Sequence, residues 1–163
     1  MDSTPLREAY RTLLDAAATV ASADTSIAPP PGEWNADQIL AHVALISAAT
    51  IAAAATVASG ANTTYDNRRA LDTWTIDRVI SLAGGNAGLR ERIRSQGEVL
   101  CALGGPALSE AELDTRLPTL LLSHDTVLLD QPVPLRELIT GLAEAELPGH
   151  TRQLLALQAG QSS

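Results

Sequence analysis

The 163-residue chain has few imidazole or thiol side chains able to bind a metal or attack an electrophile: three histidines, His42, His124 and His150, and one cysteine, Cys101. Two of the histidines fall in patterns that imply chemistry. Leu138, Leu142, Glu146, His150 and Leu154 follow one another at steps of four, the spacing of a single ridge along a helix. A carboxylate on an apolar ridge costs too much to bury alone, so Glu146 is expected to have a partner inside the protein. Ile39, Val43, Ile46, Thr50 and Ala53 form a second apolar stripe, and His42 lies within it. Two ligands four residues apart on one helix, with a third from a facing helix, make a three-point cradle. Imidazole with carboxylate suits Zn²⁺, Ni²⁺ or a similar divalent ion, and three protein ligands leave a coordination position for water or substrate. His42, Glu146 and His150 are therefore the expected metal ligands.

The other reactive types carry weaker patterns. His124, in Ser123-His124-Asp125-Thr126, reads as a residue of a tight surface turn. Cys101 follows Val99 and Leu100 with no base spaced near it, and reads as a buried, inert thiol. Asn67 and Arg68 open a helical region from which they could line a pocket mouth and bind an anionic substrate. The neighbouring Arg69 belongs to the same helix start, and at least one of the two arginines reads as solvated.

The elements that must position these groups are mostly helical. Ser3 or Thr4 before Pro5 has the form of a helix start, and Leu6, Tyr10, Leu13, Ala17 and Val20 carry a first amphipathic helix to about Ala23. Pro29, Pro30, Pro31 and Gly32 make a stiff connector ending at Trp34, which should pack under the next helix. Asn35 with Gln38 resembles a capping box, so a second helix is expected from Ala36 to about Ser59, stopped by Gly60. A polar loop covers Ala61 to Asp66. A third helical region is expected from Asn67, interrupted at Gly84 and Gly85, resumed from Asn86 to about Leu103 and ended by Gly104, Gly105 and Pro106. Ser109 and Glu112 form a second capping box over a short helical turn. Leu117 to Val133 reads as a small β-hairpin turning at His124-Asp125, and the last helix should run from about Leu135 to Leu157. The fold class this predicts is mainly α, a four-helix bundle with a β-hairpin before the last helix, in one domain covering residues 1–163.

Composition narrows the partners. Net charge is −8 and all eleven basic residues are arginines, scattered along the chain rather than gathered into a stripe, so no nucleic-acid partner is expected. Ile39 to Ala58 is apolar enough in length to span a membrane, but it is rich in alanine, contains His42 and lacks flanking aromatic or basic anchors. A buried helix rather than a membrane span is the expectation. A lone cysteine and a first ten residues without a signal-peptide pattern suit the cytoplasm. The alanine-rich surface would suit a homodimer.

Taken together, Trp34-Asn35-Ala36-Asp37-Gln38-Ile39-Leu40-Ala41-His42 and Glu146-Leu147-Pro148-Gly149-His150-Thr151-Arg152-Gln153-Leu154-Leu155 resemble the DinB-like (DinB/YfiT) metal-binding bundle superfamily, over nearly the whole chain. The Glu-xxx-His form is similar to the mycothiol-dependent maleylpyruvate isomerases. The resemblance implies one histidine ligand on the second helix and a pair on the fourth, which places the ligand role on His42, Glu146 and His150, with zinc as the native metal. It also implies a low-molecular-weight thiol such as mycothiol as co-reactant, and hence a thiol-dependent transferase or isomerase acting on a small electrophile. The alternatives at this point are a non-catalytic small-molecule-binding or pathway-accessory protein of the same fold, or a biosynthetic lyase or cyclase. Pro148, between the two ligands of the last helix, removes a backbone hydrogen bond and is expected to distort or re-aim their i,i+4 geometry.

Overall fold

A computed structural model describes residues 1–23 and 29–159; the parts of the 1–163 domain expectation that fall on 24–28 and 160–163 lie outside the described residues. The described chain is mainly helical, with a small three-stranded sheet. Helix α1 (Thr4–Ser22) buries Leu6, Tyr10, Leu13, Ala17 and Val20, the expected stripe, with Ala16 added. Helix α2 (Ala36–Ala58) starts where its sequence says it must. The Asn35 side chain accepts from the Gln38 backbone N–H at 2.9 Å, and the Gln38 side chain accepts from the Asn35 N–H at 3.0 Å. That reciprocal pair satisfies two backbone donors that a helix start leaves open, and stabilises the end by about 1 kcal/mol.

Helix α2 is the one described helix long and apolar enough to cross a membrane, and 61 % of its most apolar stretch is buried within the protein. Its neighbours provide that burial. Leu40, Ala41 and Val43 are fully enclosed, as are Leu13 of α1 and Leu89, Ile93 and Leu100 of helix α5 (Asn86–Ala102). Each such leucine or isoleucine contributes about 1.5–3 kcal/mol relative to exposure. The core contains almost no aromatic rings. Tyr10 is an exception, and it lies flat against α5 because position 97 is glycine: a Cβ there would meet the Tyr10 ring at 2.9 Å.

Between α2 and α5 the chain departs from the expected loop and single helix. Tyr65–Asp66 form a two-residue strand, β1, followed by α3 (Arg68–Leu71) and α4 (Thr73–Ala83). Asp72 ends α3 and caps α4, its carboxylate accepting from the Thr75 backbone N–H at 2.8 Å. Gly84, at φ +77°, closes α4 in the left-handed conformation that glycine adopts without strain. After α5, an irregular turn at Leu103–Ala107 with Pro106 ends the helix as expected, and α6 (Glu110–Leu113) carries the Ser109/Glu112 capping box.

The hairpin is present as β2 (Arg116–Ser123) and β3 (Thr126–Pro134), antiparallel, turning at His124 and Asp125 with φ of +48° and +61°. Strand β1 adds to it in parallel, pairing Tyr65 with Thr119 and Asp66 with Leu120. Asn67 locks this junction. Its side chain donates to the Leu122 carbonyl and accepts from the Leu122 N–H, both at 2.9 Å.

The last helical segment is the second departure. Helix α7 (Leu135–Gly141) and helix α8 (Leu147–Ala159) are joined through a wide π-helical turn at Leu142–Glu146. Leu135, Ile139, Leu142, Leu147, His150, Thr151 and Leu154 are the buried positions, so the core stripe takes a five-residue step from 142 to 147. Leu142 and His150 are eight residues apart, and on an unbroken α-helix would point about 80° apart. The wide turn absorbs one surplus residue and lets both face the core.

Candidate metal centre

His42 is anchored from two sides. It is 4 % exposed, its Nδ1 stands 2.7 Å from the Ala70 carbonyl of α3, and the Trp34 ring lies against it at a centroid distance of 4.9 Å. A carbonyl accepts only, so Nδ1 carries the proton and Nε2 keeps its lone pair. Burial, and next the His150 ring, push the His42 pKa down to about 4, against the opposing Ala70 hydrogen bond and Glu146 charge. The imidazole is neutral at pH 7, the form that binds metals.

His150 repeats the arrangement from the other side. Its Nδ1 is 2.7 Å from the Gln153 side-chain oxygen, which fixes the proton there and frees Nε2. That Nε2 is buried and has no hydrogen-bond partner among the described residues. An orphaned buried nitrogen is expensive and rare, and calls for a missing partner. The two rings meet edge to face with centroids 4.7 Å apart.

Glu146 completes the cluster from its rim, and here the expectation of a buried carboxylate on a continuous ridge is corrected. Its side chain is 50 % exposed, because the wide turn gives the core position to Leu147 and leaves Glu146 at the edge. One carboxylate oxygen nevertheless reaches to 3.5 Å from His150 Nε2. The Glu146 carboxyl is held below the usual carboxylate range by its contact with the protonated form of the His150 ring, against partial burial and with the help of the charged forms of both imidazoles. One donor atom from each of His42, Glu146 and His150 lies within 4.8 Å of the others. Two lone-pair nitrogens, one of them the unpartnered Nε2 of His150, and one ionised oxygen fit a divalent cation with three protein ligands.

The remaining candidates are placed differently. The Asn67 amide is occupied on β2, and Arg68 is 65 % exposed and paired with Asp66. Arg69 is exposed, His124 sits in the hairpin turn, and Cys101 is buried, its thiol pushed up by that burial. An open cavity of about 670 Å³ between α1 and α5, lined by Arg7, Tyr10, Gly97 and Cys101, shares no residue with the cluster.

Four parts of the site were not read from the sequence. Gln153 and the Ala70 carbonyl fix the two ring tautomers; Gln153 could have been found, being three residues beyond His150 on the same helix. Trp34 was expected to pack under α2, but its contact with His42 was not foreseen. Tyr65 falls within the expected polar loop and is instead a buried phenol, 7 % exposed, whose pKa is raised by burial and in part by the Glu146 charge. Its signal is scarcity, since the chain has only two tyrosines, two tryptophans and no phenylalanine.

Comparison of the chain with protein-family models, with curated proteins and with solved structures yields no match.

Proposed function

We propose that the protein is a metal-dependent enzyme of the DinB-like type, in which α1, α2, α5 and α7–α8 act as a four-helix bundle and His42, Glu146 and His150 hold a divalent cation. The observation that carries this reading is the pair of buried imidazoles, each with its proton fixed on Nδ1, converging with Nε2 of His150 unpartnered. Zinc suits the donor set, with nickel as the alternative.

A cation held there supplies Lewis acidity, lowering the pKa of a thiol or water in its remaining position. The chain's own groups do the rest. Ala70 and Gln153 keep both rings in the ligating tautomer. Trp34 walls off His42, and the half-exposed Glu146 marks the side from which a reactant enters. We assign the reaction to thiol-dependent transfer or isomerisation of a small electrophile, with a low-molecular-weight thiol such as mycothiol as co-reactant. Arg68, exposed at the start of α3, is the proposed contact for an anionic group on that electrophile.

Elemental analysis of purified protein, with and without a His150→Ala substitution, tests the first step. One equivalent of divalent metal is expected in the native chain and essentially none in the variant; equal content would remove the site. Turnover of a small electrophile with mycothiol or a simpler thiol, abolished by a chelator, tests the second.

One observation favours a second reading, a non-catalytic small-molecule-binding protein of the same fold. The cavity between α1 and α5 is within the size range of ligand sites and lies apart from the cluster. Metal-dependent turnover would eliminate that reading.

A further inference from the structure

The two imidazoles of the cluster are oriented by partners of different kinds. His42 donates its Nδ1 proton to the Ala70 carbonyl, a backbone group that no side-chain substitution removes. His150 donates to the Gln153 side chain at 2.7 Å, three residues further along α8 and so on the same face. Gln153 is exposed although the ring it holds is buried, and among the described residues this is the one side-chain hydrogen bond it makes. Its amide has two ends with opposite consequences. With the oxygen toward the ring, as here, Nδ1 keeps the proton and Nε2 presents a bare lone pair; with the nitrogen there, the proton would move to Nε2. An Nε2 proton would meet the Glu146 carboxylate at 3.5 Å, beyond the range of a normal N–H···O bond. The buried, unpartnered Nε2 agrees with the first arrangement.

Both orienting partners are also neutral. An imidazole ligand that donates to a carboxylate becomes a more basic ligand, and the ion it binds a weaker Lewis acid. Here the one ionised group among the three donors and the hydrogen-bond partners of the two rings is Glu146. Against a divalent cation that leaves a net positive charge, which favours an anionic reactant.

We propose that Gln153 is a positioning residue that commits His150 to its ligating tautomer before a cation arrives, and that its neutral amide, standing where a carboxylate would fit, keeps the bound cation electrophilic toward an anionic sulfur or oxygen reactant. The second half rests on the metal-centre reading given above; the first does not.

The test uses full-length protein. In the metal-free wild type, nitrogen NMR of the imidazoles should place the His150 proton on Nδ1; in Gln153→Leu it should divide between the two nitrogens, and in Gln153→Glu return to Nδ1. Zn²⁺ affinity, read by competition with a chelator, should fall about 10- to 100-fold in Gln153→Leu and recover to at least the wild-type value in Gln153→Glu. Ethanethiol added to the Co²⁺-loaded proteins, read by sulfur-to-cobalt charge-transfer absorption, should bind Gln153→Glu at least about 3-fold more weakly than wild type. A wild-type proton on Nε2, or one that stays on Nδ1 in Gln153→Leu, overturns the positioning role. So does unchanged Zn²⁺ affinity in Gln153→Leu, or an equal loss in both variants, which would mark packing alone. Ethanethiol binding as tight in Gln153→Glu as in wild type overturns the role of the neutral amide. A wild-type protein that takes up neither zinc nor cobalt overturns the metal reading itself, while the metal-free NMR result still decides whether Gln153 orients the ring.

Discussion

The two helical segments that build the candidate site solve the same problem by opposite means. Helix α2 runs unbroken from a reciprocal cap, and the stripe its sequence predicts, Ile39, His42, Val43, Ile46, Thr50 and Ala53, is buried on it. The α7–α8 segment reaches the core only by absorbing a surplus residue in its wide turn, so His150 is buried and Glu146, four residues before it, is left half in water. The difference gives the candidate ligands unlike settings. His42 is held by the Ala70 carbonyl and Trp34 in a buried environment, whereas Glu146 stands half-exposed on the rim beside the buried His150.

The strongest test of that contrast is to delete one exposed alanine from each segment. Removing Ala48 from α2 rotates everything beyond it by about 100°, turning Thr50, Ala53, Ala54 and Val57 away from the core faces they now fill. Loss of several buried groups exceeds the stability of an ordinary domain, so no cooperative thermal transition should survive. Removing Ala145 from the wide turn takes out the surplus residue, leaving Leu142 and His150 seven positions apart on a plain helix, within about 20° of each other. That protein should fold, with Tm within a few degrees of the parent. Equal damage from both deletions would erase the distinction.

Ligand removal should follow the same order. His42→Ala should abolish stoichiometric metal uptake, weakening binding by well over the roughly 100-fold seen when only a supporting group is lost. Glu146→Gln keeps an oxygen donor on the rim and should weaken it less, with metal still taken up at higher free concentration. Competition titration with a chelator of known affinity ranks the two; a larger loss from Glu146→Gln would reverse the contrast between the buried ligand and the one on the rim.

The contrast also explains what could be read from the amino acids alone. Asn35, Gln38 and the apolar stripe of α2 are local signals, and they predicted both the helix and the inward face of His42. The hairpin and its His124-Asp125 turn were legible for the same reason. Strand β1 was not, because its partner lies some 55 residues away and only the folded chain brings Tyr65 beside Thr119. Nor was the rim position of Glu146. A step-of-four pattern is what an unbroken helix would bury, and the surplus residue becomes visible only when the stripes of α7 and α8 are matched to one core.

Acid should report on the anchor. The His42 imidazole titrates near 4 in the folded protein against an ordinary 6.5, so between those values the unfolded chain binds the extra proton. The stability that depends on a neutral His42 is therefore fully present above about pH 6.5 and lost as pH falls toward 4, at a slope of about 1.4 kcal/mol per pH unit. Glu146, with its pKa lowered, acts in the same sense, losing its contribution as pH falls below its unfolded value of 4.5, but its exposure makes the effect small. Urea titrations of metal-free protein at pH 7, 6 and 5 should show the decline, and His42→Ala should flatten it. A slope that survives in His42→Ala would place the titrating group elsewhere.

The smallest expected effect decides what makes the wide turn. Proline inside a helix costs about 3 kcal/mol because it lacks an N–H and crowds the carbonyl four residues back, here that of Glu144. Pro148 lies immediately past the turn, where the wide hydrogen-bond step already interrupts the regular ladder and a missing N–H costs least. If the register is set by Leu142, Leu147 and Leu154 seeking one core, the turn persists without the proline, and Pro148→Ala should change stability by no more than about 0.5 kcal/mol while leaving metal affinity intact. A gain near 3 kcal/mol, with altered affinity, would show instead that the proline forces the turn and that Glu146 owes its place on the rim to a single ring rather than to the packing of three leucines.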